Sequence, residues 1–353
     1  MGPELLDAVT WYVAAGVLAW LMYPLIHRAF RSVPGRGLAL TRPLGLLLAT
    51  LPSWWLTAAG VMPYATPLVI SVALVIGAVI WTVELRRGEL ADFLVTNRRM
   101  VLTIEIATLA LFTGYLAFRG FNSAIAYTEK PMESAFLASA LRATTMPPGA
   151  RCFAGSGITY SPLELFIVPP PPRLASVPAS TAFNLSLAHL FASSVIGIAG
   201  TAWSVARATR PPSRTTVIVS LLLGPLFLVG IGNLVTPMRL IRDPGGTLSA
   251  GWWQGVGWQA SRVIVDDIPG RGGPSQTINE FPAFSFILGD LHPHVLALPL
   301  LIAIVALAFT LFAGSPGTRG CLATIALAGI VSGALYATNA WDMPIAVILI
   351  LGA

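Results

Sequence analysis

Long apolar segments recur along the chain, separated by shorter polar ones. A helix that spans the hydrocarbon core of a membrane needs about 20 apolar residues. Eight segments of about this length are present, and a ninth apolar segment runs from Met343 to Ala353. The eight cover residues 8–26, 43–62, 67–83, 101–118, 181–206, 215–236, 293–313 and 321–340. This pattern predicts an all-α protein, a polytopic transmembrane helical bundle of about eight full spans and a partial ninth.

The composition agrees with a membrane protein. Hydrophobic residues make up 55% of the chain and charged residues only 10%, whereas soluble domains carry about 25% charged residues. The net charge is +6, but the arginines lie in short segments between spans. Membrane topology accounts for them, and no nucleic-acid partner is expected.

The basic residues alternate from one loop to the next. Twelve of the 21 lie in the loops between spans one and two, three and four, five and six, and seven and eight. Short loops rich in arginine face the cytoplasm. We therefore expect a multi-pass protein of the cell membrane, surrounded by its lipids, with its N-terminus and two long loops, 119–180 and 237–292, outside. The first 100 residues are predicted to form a three-span segment, and residues 101–353 a core that is incomplete at its C-terminus.

Three polar clusters fall on the predicted outer side. The first contains Glu129, Lys130 and Glu133, followed by a stretch that looks helical and amphipathic and is expected at the membrane surface. The two glutamates are four positions apart and share a helical face. Together they can hold a divalent cation or supply a general base. The alternative is a solvated loop with a Glu–Lys pair.

The second cluster precedes span seven and is the richest in functional groups. It contains Asn279, Glu280, Asp290, His292 and His294 within 16 residues. Ionisable groups near membrane depth are costly and indicate function. An aspartate and two histidines can ligate a metal or bind an anionic head group. The alternative is an interfacial anchor. The phenylalanines at 281, 284 and 286 are expected at a lipid-facing lip.

The third cluster lies at the outer end of span eight, where Asn339 and Asp342 are expected to point into the same cavity. Trp341 is typical of the membrane interface. A polar turn before the next helix is the alternative. Within span four, Glu105 predicts a hydrogen bond in the bundle interior.

Residues 278–282 and 289–294 resemble the signature of the "YYY" integral membrane protein family, a domain family of unknown function. Residues 128–132, 147–148 and 339–342 resemble its other blocks, and the resemblance runs along most of the chain. Members are usually longer, with further spans. The family is considered a distant relative of the GT-C glycosyltransferases, which take a sugar from a polyprenyl-phosphate carrier on the outer membrane face.

The resemblance implies a GT-C-like bundle and a function for each cluster. Glu129 and Glu133 correspond to the acidic motif of the first outer loop and, with Asp290, are the expected catalytic residues. A divalent cation, Mg²⁺ or Mn²⁺, is the expected cofactor, with Glu129, Asp290 and His292 as candidate ligands. The expected substrate-binding residues are Lys130, Tyr160, Asn279, Glu280, His292, His294, Asn339, Trp341 and Asp342.

The chain departs from the family pattern at two places. The block of three tyrosines is replaced, and only Tyr160 remains of it; Glu133 stands where aspartate is usual. If the tyrosines line the substrate cavity, we expect this protein to have an altered specificity or to be inactive. Two alternatives to the enzyme therefore stay open, a transporter component that shares only the helical scaffold and a non-catalytic membrane scaffold.

Overall fold

The computed structural model describes residues 3–149, 157, 176–209, 213–266, 273, 275–314 and 317–353. Tyr160 and the replaced tyrosine block lie outside these residues. The helices are α1 (Pro3–Ala29), α2 (Thr41–Ala58), α3 (Thr66–Arg86), α4 (Glu89–Thr96), α5 (Arg98–Gly120), α6 (Lys130–Arg142), α7 (Ala179–Thr209), α8 (Arg214–Pro225), α9 (Val235–Arg242), α10 (Ala250–Ala260), α11 (Pro282–Leu288), α12 (Pro293–Phe312), α13 (Thr318–Thr338) and α14 (Met343–Leu351). Strands β1 (Ile264–Asp266) and β2 (Ser275–Thr277) form an antiparallel hairpin.

The prediction of an all-α polytopic bundle is confirmed. Seven helices among the described residues are long and apolar enough to cross a membrane: α1, α3, α5, α7, α8 with its π-helical continuation Leu226–Ile231, α12 and α13. The predicted second span corresponds to α2, which has 18 residues, ends before Gly60 and is largely buried among other helices. Gly60 adopts φ +72°, a conformation that commonly ends a helix.

Small residues allow α1 and α2 to approach closely. A Cβ atom at Gly45 would lie 2.4 Å from the carbonyl oxygen of Ala19, so any larger residue there would separate the two helices. Close approach at small residues is how helices associate in lipid. Beside this contact the Glu105 carboxylate accepts hydrogen bonds from Arg42 (2.8 Å) and Trp20 (3.0 Å), as expected for an acid inside the bundle.

The two sets of loops lie at opposite ends of the bundle. At one end, Glu84 pairs with Arg28 (3.3 Å) and Arg87 (2.6 Å) around a polar cleft of about 220 Å³ that also includes Gly320, near the start of α13. The other end of α13 reaches Asn339 and a different cavity. This separation agrees with the alternating arginine pattern; which end faces the cytoplasm stays a prediction.

The long loops contain more structure than expected. Helix α6 was predicted, and it packs against α7 with Lys130 and Glu133 buried. Its position at the membrane surface stays a prediction. The second loop contains α9, α10, the hairpin and α11. The expectation for the phenylalanines was wrong at two positions, because Phe284 and Phe286 are only 4% and 3% exposed. Phe286 packs edge-on against Tyr115 and so belongs to the bundle core.

Candidate active site at one end of the bundle

Glu133 connects α6 to the segment before α12. One of its carboxylate oxygens accepts a hydrogen bond from the backbone amide of Leu291 at 2.9 Å. The other lies 3.1 Å from Nδ1 of His292. The Glu133 side chain is only 6% exposed, and a buried carboxylate is stable only when its oxygens are paired in this way. Glu133 therefore fixes the position of His292.

Glu129 joins the same histidine from the N-terminus of α6. Its carboxylate lies 3.2 Å from Nδ1 of His292, and its side chain is 54% exposed. The ligand atoms of Glu129, Glu133 and His292 all lie within 4.8 Å of one another. The four-residue spacing thus places both carboxylates on one face, as predicted, with the exposed one open to solvent.

A glycine in the left-handed region shapes the segment that carries Asp290. Gly289 has φ +72° and ends α11. A Cβ atom there would lie 2.3 Å from the guanidinium carbon of Arg119. Only glycine tolerates both the backbone conformation and the contact. The turn is closed by the Asp290 amide, which donates to the carbonyl of Ser285 at 2.9 Å.

Asp290 is buried beside three other charged groups. Burial, with the neighbouring Glu133 carboxylate, raises the pKa of Asp290 to about 7, and the nearby charges of His292 and Lys130 act against this rise. One carboxylate oxygen has no hydrogen-bond partner among the described residues. Burial also lowers the pKa of Lys130, and the Arg119 charge adds to this effect. Asp290 is therefore poised to exchange a proton near neutral pH.

The pKa of His292 is also raised, which for a histidine favours the charged form. Its hydrogen bond with Glu133 is the main reason that the pKa of His292 rises to about 9, and the charges of Glu280 and Glu129 contribute while burial opposes them. An imidazole surrounded by three carboxylates favours its cationic form. In the absence of another cation, this side chain is the central positive charge of the site.

The second predicted cluster continues from His292. Glu280 lies 3.2 Å from Nδ1 of His294 and 3.9 Å from Nε2 of His292. Nε2 of His294 is hydrogen-bonded to the hydroxyl of Ser285 at 2.8 Å. Ser285 is fully buried, so the imidazole of His294 is held in one orientation with Nδ1 facing Glu280.

The second cluster borders an open cavity of about 940 Å³ through Glu280, His292 and His294, and this cavity also includes the third cluster. The residues of the first cluster are not among those that line it. The amide of Asn339 donates to Asp342 at 3.1 Å. Trp341 is 86% exposed at the edge. Apolar side chains, among them Leu298 and Leu301, line the part along α12. The second and third clusters therefore share one cavity, and the first cluster joins them through the contacts of Glu129 and Glu133 with His292. Asp290 is not among the residues that line the cavity.

The structure places some predicted residues elsewhere. The side chain of Asn279 donates to the carbonyl of Thr277 at 3.0 Å within its own loop, and it is not among the residues that line the cavity. Asp290 belongs to neither of the two groups of described residues whose ligand atoms are close enough to share a metal. Tyr160 lies outside the described residues.

Two residues of the site, Arg119 and Ser285, were not identified from the sequence. Arg119 is 3% exposed and donates two hydrogen bonds to Asn184, at 3.0 and 3.1 Å. A lone arginine at the outer end of a span runs against the positive-inside pattern, and that signal could have identified it. Ser285 gave no such signal, because a serine in an apolar helix is common.

The comparisons with known proteins give one match. The family described as "Uncharacterized membrane protein (DUF2298)" matches residues 48–353. No curated protein and no solved structure matches the chain. The match confirms that part of the resemblance which concerns a membrane protein family of unknown function. The match gives no evidence for a relationship to the GT-C glycosyltransferases.

Proposed function

Since the chain belongs to the DUF2298 family of uncharacterised membrane proteins, we propose from its geometry that it is a GT-C-type glycosyltransferase. It would use a lipid-linked sugar as donor on the outer face of the cell membrane. The observation that carries this proposal is the convergence of Glu129, Glu133 and His292 within 4.8 Å beside a cavity that is part polar and part apolar.

The cavity suits a substrate with two unlike ends. Leu298 and Leu301 of α12 offer apolar side chains to the cavity, while Asn339 and Asp342 supply polar groups. A polyprenyl-phosphate sugar has an apolar chain and a polar head, and it must enter from the bilayer. Trp341 at the edge suits the head-group level, where aromatic rings are favoured.

The reaction requires a base for the acceptor and a positive charge for the leaving group. The acceptor oxygen attacks the anomeric carbon and gives its proton to a carboxylate, for which Glu129 is the accessible candidate. The bond between this carbon and the phosphate oxygen breaks, and its electron pair leaves with polyprenyl phosphate. His292, which lines the cavity, would neutralise that anion.

The group formed by Glu129, Glu133 and His292 fits the expected Mg²⁺ or Mn²⁺ cofactor only in part. Mg²⁺ prefers an all-oxygen ligand set, whereas here the third ligand beside Glu129 and Glu133 is the nitrogen of His292. A cation held there would add positive charge near the leaving phosphate. Mn²⁺, which accepts imidazole more readily, fits this set better than Mg²⁺.

A non-catalytic scaffold is the second candidate, favoured by the replaced tyrosine block around Tyr160. A transporter component is less well supported. Transporters hold ionisable groups near mid-membrane between two related halves, whereas the candidate groups here gather at one end and the sequence shows no internal repeat.

The test uses the full chain in proteoliposomes with a panel of radiolabelled polyprenyl-phosphate sugars. Release of polyprenyl phosphate is measured, with and without candidate acceptors. Glu129→Gln should lower the rate at least about 100-fold, the usual contribution of a general base. Glu89→Gln, an exposed acid at the opposite end, is the matched control and should leave the rate unchanged. No turnover of any donor, or equal effects of the two variants, would favour the scaffold.

A further inference from the structure

We infer that Glu280, His292 and His294 form a binding site for a transition-metal divalent cation of the Zn²⁺ class, distinct from the Glu129–Glu133 pair. One ligand atom from each lies within 4.8 Å of the others. Two ligands about 2.1 Å from a common tetrahedral ion are about 3.4 Å apart. The separations here, 3.2 Å from Glu280 to His294 and 3.9 Å from Glu280 to His292, are close to that spacing.

The hydrogen bonds behind the two histidines favour metal binding. A metal-bound histidine almost always donates its other ring N–H to a carboxylate or another oxygen. Nδ1 of His292 lies 3.1 Å from Glu133, so in the neutral form protonated at Nδ1 the lone pair of Nε2 would face Glu280. Nε2 of His294 lies 2.8 Å from the hydroxyl of Ser285, so in the tautomer protonated at Nε2 the lone pair of Nδ1 would face the same carboxylate.

Each histidine therefore has one nitrogen fixed by a buried oxygen and the other facing a common point. Glu133 and Ser285 come from different helices, α6 and α11, so the two supports are independent. The Glu133–His292 pair reproduces the carboxylate–histidine arrangement that raises the basicity of a metal ligand. A merely interfacial histidine needs neither support.

The ligand set selects the kind of ion. Two imidazole nitrogens and one carboxylate suit Zn²⁺ and related first-row ions and disfavour Mg²⁺ and Ca²⁺, which prefer oxygen. All three residues line the open cavity. The remaining coordination position would face that cavity, as in catalytic zinc sites with three protein ligands. The site would thus present a Lewis acid to whatever occupies the cavity.

This assignment does not depend on glycosyl transfer, because metal content and turnover are measured separately. The full chain is purified in detergent with an affinity tag that contains no histidine, stripped with a chelator and given Zn²⁺. We expect about one tightly bound Zn²⁺ ion per chain. Co²⁺ in its place should give the intense visible absorption of a tetrahedral site, and this measurement needs no variant.

The variants separate the two groups of ligands. Glu280→Gln and His294→Gln should abolish tight Zn²⁺ binding, and Ser285→Ala should weaken it about 10–100-fold, the usual effect of losing such a support. Glu129→Gln is the matched control and should retain the ion. Size-exclusion chromatography and thermal unfolding show whether each variant is folded. Loss of binding in Glu129→Gln with retention in Glu280→Gln and His294→Gln would overturn the assignment, and so would a wild-type chain that binds no Zn²⁺.

Discussion

Glu133 and His292 are 159 positions apart in the chain, and the glutamate carboxylate lies 3.1 Å from Nδ1 of the histidine. The same carboxylate accepts the backbone amide of Leu291 at 2.9 Å. One buried side chain thus ties α6, which follows the fourth predicted span, to the start of α12. The orientation of the histidine, and the site built around it, depends on this contact.

Removing the charge of Glu133 should therefore destabilise the protein. In Glu133→Gln, either the Leu291 amide or Nδ1 of His292 loses its carboxylate partner. We expect a loss of about 1–3 kcal/mol in the free energy of unfolding. Glu129→Gln, whose parent side chain is 54% exposed, should change it by less than about 0.5 kcal/mol. Denaturant unfolding in metal-free detergent solution measures both. Equal losses would show that Glu133 does not fix the site.

Gly289 should tolerate substitution less well than another glycine with the same backbone conformation. Gly289 and Gly60 both have φ +72°, but only at Gly289 would a Cβ atom meet another group, the Arg119 guanidinium at 2.3 Å. Alanine in the left-handed region costs about 1–2 kcal/mol at either position. Gly289→Ala should cost a further 1–3 kcal/mol or so, because Arg119 must move. Thermal unfolding of the two variants gives the difference, and equal midpoints would contradict the contact.

The stability of the metal-free protein should fall as the pH rises above neutrality. The pKa of His292 is raised from 6.5 to about 9, mainly by Glu133 and further by Glu280 and Glu129. A raised histidine pKa contributes stability that is complete below the unfolded value, about 6.5, and is lost as the pH rises through about 9. Asp290, with its pKa of about 7, changes its protonation state at lower pH.

The measurement follows unfolding of the chelated protein between about pH 7.5 and pH 10. The wild-type free energy of unfolding should decline over this range, and that of His292→Gln should decline less. Parallel curves for the two proteins would mean that the imidazolium does not stabilise the folded state.

The arginine pattern gives a prediction about sidedness. Ser213 precedes α8, and Ser275 begins β2 in the second long loop. Both native cysteines, Cys152 and Cys321, are first replaced by serine. Single cysteines at 213 and at 275 should then differ, with only the second labelled by an impermeant maleimide added to intact cells. Labelling of both from outside would refute the predicted topology.

Much of this architecture follows from the sequence, for physical reasons that particular residues illustrate. Apolar length fixes the spans, because each must cover the hydrocarbon core. Glu129 and Glu133 share a face because a helical turn has 3.6 residues. The convergence of three distant clusters was predictable because ionised groups near lipid are costly when scattered.

Tertiary contacts determined the rest. No local pattern distinguishes Phe286, which packs against Tyr115, from an aromatic residue at the lipid boundary. Ser285 acquires its importance only through His294, which lies one helix further along the chain. The pairing of His292 with Glu133 similarly depends on how α6 docks on the bundle, and sequence spacing carries no information about that.

Photocrosslinking shows whether the cavity beside His292 receives a polyprenyl-phosphate head group. The full chain in proteoliposomes is given a polyprenyl phosphate with a photoreactive group next to the phosphate, and the labelled peptides are mapped. We expect labelling at the cavity residues Tyr336 and Trp341, and unlabelled carrier should reduce it by competition. Leu74 and Val79, exposed on α3, serve as the reference for general lipid contact. Labelling of α3 equal to that of the cavity, or labelling that unlabelled carrier does not reduce, would contradict the proposal that the carrier binds in this cavity.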